Sequence, residues 1–180
     1  MPKGNHRRAR GAPAIALSRR WPLDSGMTPR TQPFLLRPAR ADDRDAIAAI
    51  WHSGASLPHV GPAALPPLQA LRQRVDQEFA EGWQVTVATQ GDVIVGFLAL
   101  LPEAGILDQL FVRRDAFGGG IGRALFAEAI AAMPMGFTLF TRPGNARARR
   151  FYEAAGMTML REEIHPRFGD TIMFYGWQPD

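Results

Sequence analysis

A glycine-rich segment that joins a predicted strand to a predicted helix constrains this chain more than any other feature. Residues 110–125 read LFVRRDAFGGGIGRAL, in which Gly118, Gly119, Gly120 and Gly122 fill four of five consecutive positions. Each such glycine costs about 0.5–1 kcal/mol relative to alanine within regular structure, and close approach of the backbone to a ligand would offset that cost. The first turn of a helix presents unsatisfied N–H groups and a partial positive charge, which favour a phosphate or pyrophosphate. The segment therefore predicts a phosphate-binding turn.

Two common nucleotide-binding patterns do not fit this segment. The dinucleotide fingerprint G-x-G-x-x-G fails because no glycine follows Gly122 at the required step and no acidic residue lies about 20 residues further on. The P-loop fails because the chain lacks Gly-Lys followed by Ser or Thr at this point. Taken alone, this segment is also compatible with a flexible turn that binds no ligand.

Composition excludes several other classes of protein. A chain of 180 residues that is 46% apolar and 21% charged suits one globular domain and excludes wholesale disorder. The absence of cysteine excludes disulfides, thiolate metal sites, iron–sulfur clusters and a cysteine nucleophile. The longest apolar run, Val93 to Leu101, is too short to cross a bilayer. We therefore expect a cytoplasmic protein without a membrane partner.

The positive charge is concentrated at the amino terminus. Residues 1–33 hold seven Lys or Arg residues and one acid, Asp24, whereas the remaining residues hold 14 basic and 16 acidic ones. We expect residues 1–33 to form a disordered basic extension, with Met27 as an alternative start. A phosphate-binding arm or an organellar transit peptide is the alternative interpretation. Because residues 34–180 are net acidic, the charge argues against nucleic acid as a partner of the folded part.

Apolar spacing predicts a mixed α/β arrangement of strands and helices after residue 33. Helices are predicted from an N-cap at Asp42 or Asp43, with Ile47, Ile50 and Trp51 on its inner face, and over residues 68–81, 121–133 and 145–155. The third of these is nearly all apolar, which predicts burial on more than one side. Strands are predicted over residues 34–37, 84–90, 93–101, 105–112, 137–141, 157–162 and 171–177, and a loop over 53–67.

A second informative segment, residues 145–157, reads NARARRFYEAAGM. Helical spacing places Ala148, Phe151, Tyr152 and Ala155 on one face. Taken alone, this pattern favours a core tyrosine and a solvated face of arginines.

In this order and spacing the two segments resemble the GCN5-related N-acetyltransferase (GNAT) superfamily, and the resemblance covers about residues 34–177. It implies an α/β (α+β) fold with a mixed, mostly antiparallel sheet of six to seven strands, about four helices, and a splayed parallel pair formed by residues 105–112 and 137–141. It also implies that residues 34–180 are an N-acetyltransferase domain. Such an acyltransferase moves an acetyl group from acetyl-CoA, a co-substrate, to a primary amine by direct attack in a ternary complex, without a metal.

The resemblance also implies roles for particular residues. Tyr152 matches the tyrosine that protonates the leaving thiolate, and an ordinary phenol, with a pKa of about 10, is protonated at neutral pH while a thiol has a pKa of about 8.5. The residues expected to bind the cofactor are Phe111, Val112, Gly118, Gly119, Gly120, Ile121, Gly122, Arg123, Asn145 and Tyr152.

The candidate general base is Asp108, which strand alternation places on the same side as Leu110 and Val112. A partly exposed structural carboxylate is the alternative interpretation. His52 and His59 border the loop where an acceptor would enter and are further candidates for proton transfer. Glu103 and His165 receive no role from their spacing.

The chain departs from the family pattern at Phe117, where the family's turn usually has Gln or Arg. Arg123, just inside the helix, is the candidate for the compensating charge.

Two alternative functions are left open. One is a catalytically silent CoA-binding module, and the other is an RNA-associated acetyltransferase that uses the basic extension. The acceptor, a small-molecule or peptide amine, is expected in a pocket lined by residues 53–67 and 162–170. A homodimer is left open.

Overall fold

The computed structural model describes residues 32–179, which form seven strands and four α-helices. In chain order these are β1 (Leu35–Pro38), α1 (Arg44–Ala55), α2 (Leu68–Ala80), β2 (Gln84–Gln90), β3 (Val93–Leu101), β4 (Ile106–Val112), α3 (Ile121–Ala132), β5 (Phe137–Thr141), α4 (Ala146–Ala154), β6 (Thr158–Ile164) and β7 (Thr171–Trp177). The predicted fold class is confirmed. The predicted extension, apart from residues 32 and 33, lies outside the described residues.

The seven strands form one sheet in the order β1-β2-β3-β4-β5-β7-β6, in which only β4 and β5 are parallel. These two strands pair at a single position, Ile106 with Thr138, close to where both strands begin. The N–H of Thr138 donates to the carbonyl of Gly105 at 2.9 Å. Because no further pairing follows, the strands diverge toward their carboxyl ends, as the splayed pair of the prediction requires.

Helices cover both faces of the sheet. On one face, Leu125 and Phe126 of α3 and Tyr152 of α4 pack against residues that include Leu98 and Tyr175. On the other face, the core consists of residues from α1, α2, β2 and β3, together with the residue before β2: Ile47, Ala48, Ile50, Val75, Trp83, Val85, Val87, Phe97 and Ala99. The diverging ends of β4 and β5 therefore lie between two packed layers.

One local prediction is wrong, and another is confirmed only in part. Helix α3 is buried on one face only, since Ala127, Glu128 and Ala131 are exposed, and small alanine methyl groups tolerate contact with water. Asp43 stands at the N-cap position of α1, as predicted, but its side chain makes no cap hydrogen bond to that helix. Its carboxylate instead accepts two hydrogen bonds from the Arg37 guanidinium, at 2.6 and 3.0 Å, and one from the N–H of Arg40. A bidentate, charge-assisted pair is stronger than a neutral cap, so Asp43 ties β1 to α1.

No helix within residues 32–179 combines the length and the apolar character that a membrane crossing requires.

Candidate active site

A cavity of about 970 Å³ opens where β4 and β5 diverge. Its volume is at the upper end of the range of about 300–1,000 Å³ that is usual for small-molecule sites. The wall contains the glycine turn, the start of α4, the loop after α1 and the loop between β6 and β7. The cavity therefore brings together both sequence segments that carried the resemblance and both loops predicted to line a pocket.

The glycine turn forms one end of this cavity. Gly118 and Gly120 have φ of +83° and +81°, a backbone conformation that other residues rarely adopt. The first hydrogen bond of α3 runs from the N–H of Ala124 to the carbonyl of Gly120, at 3.0 Å. The amides of residues 121–123 therefore have no acceptor within the helix, which is the arrangement that binds anions. Of the glycines predicted to bind the cofactor, Gly119 does not line the cavity.

Phe117 lies beneath an arginine that the sequence did not single out. The guanidinium carbon of Arg147 is 3.5 Å from the centre of the Phe117 ring, and both residues line the cavity. A guanidinium over an aromatic face is attracted by about 0.5–1 kcal/mol at an exposed site. Arg147 forms no ion pair with any residue in the part of the chain that the structure describes. The turn is therefore flanked by a cation although residue 117 carries none.

Asn145 fixes the start of α4. Its side-chain oxygen accepts a hydrogen bond from the N–H of Ala148 at 3.2 Å, which caps the helix. Its Nδ2 donates to Oγ1 of Thr141, at the end of β5, at 3.2 Å. Asn145 lines the cavity, but both polar atoms of its amide are engaged within the protein. These bonds position α4, and with it Arg147 and Tyr152, against the end of β5.

Tyr152 is buried, with 8% of its surface exposed, and it lines the cavity. Its ring packs among Phe126, Phe151 and Tyr175, with centroid distances of 5.5 to 6.4 Å. Within residues 32–179 its hydroxyl has no hydrogen-bond partner. Burial raises the pKa of Tyr152 to about 12 because an ionised phenolate is poorly solvated there. The hydroxyl is therefore a protonated donor throughout the neutral range.

Asp108 lines the same cavity from β4. Burial raises its pKa above the ordinary aspartate value, although hydrogen bonds from Gln109 and Trp83 and the charge of Arg74 act in the opposite direction. Trp83 Nε1 donates to Oδ2 of Asp108 at 3.0 Å, and Gln109 Nε2 donates to the same oxygen at 3.4 Å. A carboxyl group held in place with a raised pKa has the properties of a general base at neutral pH.

Trp83 is a site residue that the sequence analysis missed, whereas Gly54 lies within the predicted pocket wall of residues 53–67 but was given no role of its own. Trp83 packs on Trp51, with ring centroids 5.5 Å apart, and this contact fixes the donor to Asp108. A β-carbon at Gly54 would lie 2.3 Å from the Phe111 ring, so α1 approaches β4 closely only because this residue is glycine. Phe111 and Val112 both line the cavity, as does Gly54.

Another end of the cavity contains two loops that Arg142 joins. Its guanidinium pairs with the Asp170 carboxylate and donates to the carbonyl of Val60 at 3.0 Å. His165, which received no role from the sequence, lines this end, whereas His52, His59 and Glu103 lie outside the lining. Nδ1 of His165 accepts the N–H groups of Arg167 and Phe168, at 3.1 and 3.3 Å, which leaves Nε2 as the protonated nitrogen.

Residues 81–156 match the family model described as "Acetyltransferase (GNAT) domain". The matched range runs from the end of α2 through α4 and contains both the glycine turn and the Tyr152 helix. The resemblance to the GNAT acetyltransferases is thereby confirmed over residues 81–156. The expectation of an acyltransferase is confirmed with it.

Solved structures share the fold at low sequence identity. A ribosomal-protein-alanine N-acetyltransferase from Brucella melitensis is 23% identical, with a TM-score of 0.64 over 81% of this chain and 99% of that one. A GCN5-related N-acetyltransferase from Rhodopseudomonas palustris is 21% identical, with a TM-score of 0.66 over 86% and 100%. The protein yncA from Salmonella typhimurium, solved with acetyl-CoA, is 17% identical, with a TM-score of 0.64 over 82% and 94%. The curated proteins give no match.

Proposed function

We propose that this chain is an acetyl-CoA-dependent N-acetyltransferase that acts on a primary amine by direct attack in a ternary complex. One observation carries the proposal: a single cavity contains the anion-binding turn, the gap between β4 and β5, and both Tyr152 and Asp108. The solved complex of yncA with acetyl-CoA, which has the same fold, supports acetyl-CoA as the co-substrate. The match of residues 81–156 to the GNAT acetyltransferase model supports acetyl transfer as the reaction.

The cofactor end of the cavity suits a diphosphate attached to an extended arm. The amides in the first turn of α3, which have no acceptor within the helix, and the guanidinium of Arg147 supply donors and positive charge for the diphosphate. Beyond Ile106, β4 does not pair with β5, so its backbone groups on that side are available to an arm lying along it as an added strand. Phe111 and Val112 lie on this stretch of β4.

The acceptor amine must be neutral to attack. In the proposed reaction, Asp108 accepts the proton that the amine loses, directly or through water. A raised pKa makes this carboxylate a stronger base than an ordinary aspartate. The hydrogen bonds from Trp83 and Gln109 hold the group in place. An amide of β4 would polarise the thioester carbonyl, as oxyanion-hole donors do.

Tyr152 stabilises the leaving thiolate of CoA. Complete proton transfer from a hydroxyl with a pKa of about 12 to a thiolate with a pKa of about 8.5 is uphill by about 5 kcal/mol. The hydroxyl therefore acts chiefly by donating a hydrogen bond to the sulfur as negative charge develops there, and solvent completes the protonation. Because the buried Tyr152 side chain already lies at the cavity, the donor is in place when the charge appears.

Thiol release from acetyl-CoA in the presence of an amine panel tests the proposal. Since the chain has no cysteine, every thiol detected comes from the cofactor. The proposal predicts turnover with at least one amine and its loss in Tyr152→Phe, with acetyl-CoA binding retained. Tight binding of acetyl-CoA without turnover on any amine would favour a catalytically silent CoA-binding module instead.

A further inference from the structure

The charges that line the cavity are unbalanced. Among the described residues, five arginines line it: Arg74, Arg123, Arg142, Arg147 and Arg167. The lining contains one carboxylate, that of Asp108. Arg123 and Arg147 lie at the glycine turn, where the proposed cofactor brings negative charge. The other three act electrostatically on His165, and we assign this part of the cavity, the acceptor end, to the acceptor.

The three arginines of the acceptor end all act on His165. Burial lowers the pKa of His165, and the positive charges of Arg142, Arg74 and Arg167 lower it further, while Asp170 acts in the opposite direction. A single imidazole therefore lies within the electrostatic reach of all three guanidinium groups. Because its Nδ1 accepts two backbone N–H groups, the neutral ring offers only the Nε2 hydrogen as a donor.

These arginines differ in how far the protein neutralises them. Arg142 is paired with Asp170, and Arg74 pairs with Glu78 at 2.7 Å. Arg167 has no carboxylate partner in the part of the chain that the structure describes, and its guanidinium lies 5.5 Å from the Phe168 ring. The acceptor end thus contains an uncompensated cation and two donors, Arg167 and His165, that no side-chain carboxylate engages.

The same end offers little to a second positive charge. Asp108 is the only carboxylate in the lining, it is held by Trp83 and Gln109, and the proposed reaction uses it to take a proton. A polyamine or an aminoglycoside would bring additional ammonium groups next to three guanidinium groups, which like-charge repulsion disfavours. An acceptor with a carboxylate would instead meet the free charge of Arg167.

We infer that the acceptor is a small amine that also carries a carboxylate, as an amino acid does, and that Arg167 binds this carboxylate. The inference rests on the proposed acetyltransferase function. The small size follows from the cavity of about 970 Å³, which must also hold the arm of the cofactor.

Matched pairs of acceptors test the inference in the full chain. Phenylalanine with phenethylamine, and methionine with 3-(methylthio)propylamine, differ only in the carboxylate, while spermidine supplies extra positive charge. We expect kcat/KM for one or more amino acids to exceed that of the decarboxylated partner by at least tenfold. Arg167→Gln should raise the KM for the amino acid about 10–100-fold, as loss of a charged hydrogen bond does, and leave the decarboxylated amine unchanged.

Arg161→Gln is the matched control, because Arg161 also lies over a phenylalanine ring, Phe174 at 4.2 Å, but outside the cavity. Turnover that favours decarboxylated amines, spermidine or a peptide amino terminus overturns the inference and leaves the proposed function intact. If no amine is acetylated, the proposed function fails. The inference is then tested by measuring amino-acid binding by calorimetry in the presence of CoA. Arg167-dependent binding of an amino acid then supports the inference, and absence of such binding overturns it.

Discussion

The two ends of the cavity are built in different ways. At the cofactor end, the binding groups are backbone amides of one helix turn, and the side chains of Arg123 and Arg147 lie beside that turn. At the acceptor end, the wall consists of side chains from distant parts of the chain, such as Arg74 of α2 and Arg142 and His165 after β5 and β6. The comparison indicates that the cofactor site is a local property of sequence, whereas the acceptor site is a product of tertiary packing.

The largest expected effect is a loss of kcat on substitution of Asp108, which lines the cavity from β4. Asp108→Asn keeps the shape and the acceptor oxygen for Trp83 and Gln109 but cannot take a proton. We expect kcat to fall about 10²–10⁴-fold, the usual contribution of a general base, with the Kd for acetyl-CoA unchanged. Equal loss of cofactor affinity, measured by calorimetry, would contradict the separation of the two ends.

The pH dependence follows from the same group. Because the pKa of Asp108 is raised in the folded protein, kcat/KM should rise with pH through a value above the ordinary aspartate pKa of about 3.9. The buried hydroxyl of Tyr152, with a pKa of about 12, should cause no fall in the neutral range. A profile without the acidic limb would exclude Asp108 as the base.

Stability should change in opposite directions at two aspartates. The pKa of Asp108 is higher in the folded than in the unfolded protein. Its favourable contribution to the free energy of unfolding is therefore fully present below the pKa of the unfolded state, and it is lost as the pH rises through the pKa of the folded state. The pKa of Asp43 is lowered, chiefly by its hydrogen bond with Arg37, so its contribution is present above the unfolded pKa and is lost as pH falls through the folded value. At pH 7, Asp108→Asn should therefore keep or raise Tm, whereas Asp43→Asn should lower it. Equal losses of Tm would contradict this assignment.

Tyr152→Phe should have the next largest effect. Removing one preorganised donor from a developing charge costs about 10²–10³ in kcat, and the ring packing is retained. Tyr175→Phe is the control, since Tyr175 is fully buried but donates to Glu153 at 3.0 Å and lies outside the cavity. That variant should lose stability and keep its kcat. If both variants lose kcat equally, the Tyr152 hydroxyl has no special role.

Gly122 tests the cofactor end alone. A β-carbon there would meet Phe151 at 3.7 Å, an ordinary contact, so Gly122→Asp adds charge with little strain. We expect the Kd for acetyl-CoA to rise about 100-fold, because like-charge juxtaposition costs several kcal/mol. Gly122→Asn, which has the same shape without the charge, should have a much smaller effect.

Gly120→Asp should also weaken binding of acetyl-CoA, but the positive φ of Gly120 adds backbone strain to this variant. Gly91→Asp, at another turn with positive φ, is therefore its control.

The smallest expected effect is at Arg147. Arg147→Gln should weaken CoA binding about tenfold through loss of one charge-assisted contact and leave pantetheine, which lacks the diphosphate, unaffected. Phe117→Ala should act in the same direction by removing the ring on which Arg147 lies. Equal weakening of CoA and pantetheine would show that Arg147 supports the fold rather than the phosphates.

The difference between the two ends also explains what could be predicted from sequence. The sheet, the four helices and the glycine turn follow from apolar spacing and glycine position, and the strands predicted over residues 84–90, 93–101 and 137–141 have the bounds of β2, β3 and β5. The contacts that complete the site join residues far apart in the chain. Trp83 and Asp108 are 25 residues apart, and Arg142 and Asp170 are 28 apart. No local pattern indicates such pairs, since they depend on strand register and loop closure.

One misassignment has the same origin. Arg147 fits the pattern of a solvated helix face because its partner, Phe117, lies in a different segment, and only the docking of α4 brings the two together.

The central claim is that the amides at the start of α3 bind the diphosphate of the cofactor. Amide chemical shifts of residues 121–123, followed by NMR while CoA and then pantetheine are added, test it most directly. The account predicts large shifts at these three amides with CoA and small ones with pantetheine. Shifts that leave these amides unchanged with CoA, while another surface responds, would contradict it.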